Sequence, residues 1–156
     1  MTDGTHEDEV ENGSTVAAPV ERIVSAFFKP TLQTKFDEEG NCLSACIATL
    51  FDVAIDDVPV FADYEYRWVE KMSEWMCDRF GKYAVLIRFP EVEECRLFNG
   101  SLVIACIKSP NPLVDRHAVI AKDGRILFDP MTGFVDCCIS DDLDPTFIVF
   151  GDIREH

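Results

Sequence analysis

The sequence predicts an α+β domain, with helices from its first half packed on one side of an antiparallel sheet built from its second half. Three observations carry this reading. The stretch Gly40-Asn41-Cys42-Leu43-Ser44-Ala45-Cys46-Ile47-Ala48-Thr49-Leu50-Phe51 is apolar around nearly its whole circumference, which marks a helix buried in the middle of a domain. Tyr64, Trp68, Met72, Trp75, Met76 and Phe80 recur at helical spacing and form a single apolar face. From Tyr83 onward, short β-branched and aromatic runs alternate with Pro, Gly, Asn and Asp clusters, the pattern of strands and turns.

Composition sets the outer bounds. A chain of 156 residues with 47% hydrophobic content makes one folded domain with a real core. The net charge of −15 excludes an electrostatic grip on nucleic acid or anionic lipid, since both need clustered Lys and Arg. No run approaches the roughly 18 apolar residues of a membrane helix. Met1 to Ser14 has neither a basic n-region nor an apolar h-region, so no secretory signal is visible. Seven cysteines, an odd number without any C-x-x-C pair, fit a reducing cytoplasm in which most are small buried hydrophobes. With only His6, His117 and His156 as imidazoles, a structural zinc site is not expected, and no cofactor is implied.

Residues 1–18 read as a disordered acidic tail and 19–156 as a single domain. Arg22 to Phe28 predicts a first strand, halted by Pro30, with Thr31 to Glu39 as a loop. Asn41 is a preferred N-cap for the buried helix, which ends near Asp52. Ile55 to Pro59 is a turn, because the residue before a proline is pushed out of the helical region. Asp63 caps the second helix and Gly81 stops it. Its aromatic stripe is ordinary core rather than a cofactor box. Strands follow at Tyr83 to Phe89, Ser101 to Ile107, His117 to Ala121, Arg125 to Phe128 and Thr146 to Phe150.

Cys42 stands in the first turn of the central helix, where unpaired N–H groups and the positive end of the macrodipole favour a thiolate. A nucleophilic cysteine needs a base and a group to orient that base. His6 and His156 fall in terminal segments, so His117 is the base by elimination; the alternative is a structural strand histidine. The segment His117 to Asp129 reads as a β-hairpin. A two-residue Asp123-Gly124 turn would set Pro130 opposite His117. A three-residue Lys122-Asp123-Gly124 turn pairs Ala121 with Arg125 and brings Asp129 directly across from His117. The second register is preferred, because Ala118, Ile120, Ile126 and Phe128 then share one apolar face while His117 and Asp129 share the other. Asp115 is the rival orienter. For the oxyanion, the candidates are the backbone N–H of Cys42 and the side chain of Gln33, which could equally be an exposed loop glutamine. Cys46, one turn after Cys42, is core, or a partner that resolves an oxidised Cys42.

A glutamine, then G-N-C-x-x-A-C at the start of a buried helix, then H-A-V-x-x-x-D-G-x-x-x-x-D-P, resembles the papain-like cysteine peptidase superfamily. The similarity is greatest to its small C39-like group from bacteria and phages and covers Gln33 to Pro130. It implies a papain-like fold and a triad of Cys42 as nucleophile, His117 as base then acid, and Asp129 as orienter, with Gln33 as oxyanion donor. The implied chemistry is cleavage of an amide or isopeptide bond in a protein or peptide substrate through an acyl-thioester. Two departures stand out. Gln33 lies nine residues before Cys42, farther than the family's usual spacing. The chain also has none of the membrane segments of the exporter-linked members that cut after paired glycines. Two other readings use the same residues or surface: a catalytically silent acidic binding or inhibitor protein, motivated by the charge of −15, and a thiol deamidase or acyltransferase.

Overall fold

A computed structural model describes residues 30–36, 40–88, 100–110, 112 and 114–153. The expected acidic tail, the expected strand at Arg22 to Phe28, and His6 and His156 lie outside them.

The first helix, α1 (Cys42–Phe51), buries every residue from Ser44 to Leu50, as its all-round apolarity requires. It stops where Asp52 turns into the left-handed region (φ 51°) and returns its N–H to the carbonyl of Ala48. The second helix, α2 (Trp68–Phe80), buries Met72 and Met76 completely. Gly81 ends it in the left-handed conformation (φ 64°), its N–H 3.0 Å from the Cys77 carbonyl. This helix begins later than Asp63. Residues Phe61–Arg67 form 3₁₀ turns broken at Glu65 (φ 51°, ψ −124°), and the break takes Tyr64 off the apolar face and leaves it exposed.

Among the described residues six strands form one antiparallel sheet: β1 (Lys82–Arg88), β2 (Val103–Lys108), β3 (Arg116–Lys122), β4 (Arg125–Asp129), β5 (Gly133–Cys138) and β6 (Thr146–Asp152), in spatial order β1-β6-β2-β3-β4-β5. Five match the expected strands. β5 is not among those expected, because Gly-Phe-Val-Asp-Cys-Cys at a sheet edge is half-buried at best and carries a weak period-two signal.

α1 and α2 cover one face of the sheet. Cys46, Ile47, Met72 and Met76 meet Ile104, Ala118, Ile120, Phe128 and Ile148 there. Each fully buried Ile or Met in that layer contributes about 1.5–3 kcal/mol relative to exposure. Phe51 ties the layers together, with its ring 5.0 Å from both Phe80 of α2 and Phe150 of β6. The opposite face gathers Val103, Ala105, Ile107, Val119, Ala121, Ile126 and Phe147 under Ile139, Val135 and Leu143.

The β3–β4 hairpin differs from the expected register. Lys122 pairs with Arg125, so the turn has two residues, Asp123 and Gly124, both with positive φ (52° and 77°) as a type I′ turn demands. Ala121 then pairs with Ile126, but Ile120 pairs with Phe128, so Leu127 is an extra residue, a β-bulge. The expected apolar face is accordingly wrong at one member: Ile126 lies on the face away from the helices, while Ala118, Ile120 and Phe128 lie under them. Asp129 is not directly opposite His117 either. The bulge shifts parity by one, returns Asp129 to the His117 side, and makes the two diagonal neighbours.

Candidate active site

Three elements meet at the start of α1. The Cys42 sulfur accepts a hydrogen bond from the backbone N–H of Ala118 in β3, at 3.4 Å. The next residue back, His117, is buried and donates from Nε2 to Asp129 Oδ1 at 2.7 Å. Its ring also acts on Cys42, each shifting the other's pKa, and with Nε2 committed to Asp129 the nitrogen left for the sulfur is Nδ1. Asp129 is held in turn by the backbone N–H of Met131, 2.8 Å from the same Oδ1. The order Cys42, His117, Asp129 expected from the sequence is thus a continuous chain of contacts. Asp115, the rival, uses its carbonyl to accept the N–H of Ser109 at 3.1 Å, in the β2–β3 connection.

The electrostatics follow from that chain. Burial pushes the His117 imidazolium down, but the hydrogen bond to Asp129, the one to Cys42 and the two negative charges outweigh it, lifting the pKa from 6.5 to about 9. Burial likewise pushes the Cys42 thiol up. The His117 hydrogen bond, the Ala118 N–H and the His117 charge reverse this, and the thiol falls below its ordinary value. The carboxyl of Asp129 moves down: burial raises it, but the bonds from His117 and the Met131 N–H prevail. Cys46, fully buried one turn along α1, is pushed well up by burial, as core thiols are. Cys106, on β2, is pushed up to about 12 by burial and the nearby Cys42.

Gln33 reaches the site in spite of its distance along the chain. Three anchors fold its segment back over α1. The N–H of Thr31 donates to Thr49 Oγ1 (2.9 Å), the N–H of Gln33 to the carbonyl of the buried Pro130 (2.8 Å), and the N–H groups of Thr34 and Lys35 both to Asn41 Oδ1 (3.0 Å each). Gln33 is therefore buried and not an exposed loop side chain. It lines the same cavity of about 400 Å³ as Cys42 and His117. Its Nε2 donates to the Lys35 carbonyl at 2.8 Å, while Oε1 is buried without a hydrogen-bond partner among the described residues.

Asn41 corrects another expectation. It precedes α1, but its side chain caps no helical N–H. Its oxygen is consumed by Thr34 and Lys35, and its Nδ2 donates to Thr34 Oγ1 at 2.9 Å. Asx side chains serve loops as readily as caps, and here the loop wins. Sequence reasoning also passed over Glu65, Arg116 and Cys106 in the cavity wall. The φ break at Glu65 has no signature in residue type, Cys106 reads only as an ordinary strand residue, and Arg116 falls just before the expected strand. Among the described residues no group of three His, Cys, Asp or Glu side chains is placed to hold a metal, and no helix is long and apolar enough to cross a membrane.

No family model, no curated protein and no solved structure matches this chain.

Proposed function

We propose that this protein is a thiol-dependent hydrolase of the papain-like kind, similar to the C39-like group, acting on an amide or isopeptide bond in a peptide or protein. The observation that carries the reading is His117, held between Asp129 and Cys42, with the imidazole raised and the thiol lowered. A core histidine needs neither shift. The lowered thiol and the raised imidazole both favour a thiolate–imidazolium pair over the neutral pair.

The thiolate attacks the carbonyl carbon of a substrate in the cavity. Negative charge grows on the carbonyl oxygen, which the Cys42 backbone N–H at the start of α1 and the second N–H of the Gln33 amide stabilise. His117 gives its proton to the leaving amine and the C–N bond breaks, leaving a thioester on Cys42. Neutral His117 then takes a proton from water, which attacks the thioester and releases the acid. Asp129 keeps the proton on Nε2, so that Nδ1 serves the sulfur. An amine in place of that water would make the same site an acyltransferase. The free thiols of Cys42, Cys46, Cys77, Cys106, Cys137 and Cys138 support a reducing, cytoplasmic setting.

The test is the pH dependence of Cys42 alkylation by iodoacetamide, resolved from the other cysteines by peptide mapping. Cys42 should react selectively well below the ordinary thiol pKa of about 8.5, and His117→Ala should abolish that reactivity. An inert Cys42, or one titrating like a free thiol, would replace the hydrolase reading with that of an acidic binding protein.

A further inference from the structure

We propose that Glu65 makes this site selective for substrates carrying a cationic group at the end of an aliphatic chain, such as a lysine side chain or an alkyl amine. The inference rests on the hydrolase reading above and adds a substrate class to it.

The cavity that holds Cys42 and His117 is walled largely by apolar side chains, among them Leu43, Trp68, Val114 and Met131, which suit methylene groups. Among the described residues two other ionic residues line it, Glu65 and Arg116, and they are not equivalent. Arg116 is committed: its guanidinium donates to the carbonyl of Cys106 at 3.1 Å and pairs with the carboxylate of Asp144 at 3.5 Å. Glu65 is exposed and has no ion pair among the described residues, so its charge is uncompensated at the cavity wall.

The backbone at Glu65 is the second observation. Its φ of 51° and ψ of −124° match the first central position of a type II′ turn, which glycine normally occupies. A side chain there strains the chain, and such strain collects at ligand-facing positions. A loop needing only the turn would hold glycine; this one holds a glutamate, and that glutamate belongs to the wall of the cavity that contains the nucleophile.

The test compares Cys42 alkylation by two chloroacetamides of equal length, one with an n-hexyl tail and one with an aminopentyl tail, in the intact protein. In the wild type the cationic reagent should react about fivefold faster, the scale of a partly exposed ion pair. Glu65→Gln should bring the ratio close to one, and high salt should shrink it. Asp56→Asn removes an equal charge from an exposed surface turn and should leave the ratio alone. An equal effect of both variants, or a ratio unmoved by Glu65→Gln, overturns the proposal in favour of the general field of an acidic protein. Iodoacetamide separates the two levels of inference. If it labels Cys42 in a His117-dependent way while the tailed reagents do not differ, only the cation selectivity falls. If it does not, both readings fall together.

Discussion

Replacing Asp129 by Asn should make the stability deficit of the variant depend on pH, through His117. The imidazole is 5% exposed, and its rise from 6.5 to about 9 corresponds to roughly 3 kcal/mol in favour of the imidazolium. Of the causes that outweigh burial, the hydrogen bond and the charge of Asp129 each exceed those of Cys42, so at least half of the rise belongs to Asp129. A group whose folded pKa lies above its unfolded value stabilises fully below the unfolded value. That contribution is lost as pH climbs through the folded one. For His117 the window runs from 6.5 to about 9. The lowered Cys42 works in the opposite sense, its contribution being lost as pH falls. Asp129→Asn should therefore cost about 1.5–2 kcal/mol near pH 6, a difference that narrows towards pH 10. Urea unfolding across that range measures it, and an NMR titration of the His117 ring should place its pKa at least one unit lower in the variant. A deficit constant across the range, or an unmoved His117 titration, would refute the account of Asp129 as the orienting charge.

Two further outcomes follow from positions outside the triad. Asn41→Ala strips the partners from the Thr34 and Lys35 N–H groups, and should lower stability by about 2 kcal/mol and slow turnover. Iodoacetamide labelling of Cys42 should hardly change, because the loop carries Gln33 and not the thiolate pair; equal loss of both would assign Asn41 a purely structural role. Glu65→Gly relieves a side chain from a glycine-like turn and should raise the unfolding free energy by about 1 kcal/mol, visible as a higher thermal midpoint. A lower midpoint would show that the Glu65 side chain holds its loop in place.

What is legible in the sequence divides along physical lines. α1 announces itself because burial on all sides leaves no polar face to misread, and its end at Asp52 falls where expected. The core of α2 is equally clear at Met72 and Met76, but its start is not, since 3₁₀ turns at Phe61–Arg67 keep enough helical periodicity to draw Tyr64 into the stripe. His117 and Asp129 do come together, although by a different register from the expected one. A three-residue turn without a bulge gives the same facing as the shorter turn the chain uses, followed by an extra residue at Leu127. A bulge within an apolar run has no distinctive composition, so only the parity of the result can be inferred. Asn41 is misread because one residue type serves both caps and loops, and the choice depends on Thr34 and Lys35 arriving from the preceding segment.

The bulge at Leu127 also determines which length changes this hairpin can survive. Side chains alternate across a strand, so along each arm the number of residues between the turn and His117, or between the turn and Asp129, acts as an odd–even counter. Inserting or deleting one residue within either arm would turn one partner away and present a neighbour such as Phe128 or Pro130 in place of Asp129, whereas a change confined to the Asp123-Gly124 turn would leave the facing intact. A change of two would restore the facing. Within the arms of this hairpin, descent with substitutions is open and descent by single indels is closed, so functional relatives should vary in length at the turn or, within an arm, by even steps.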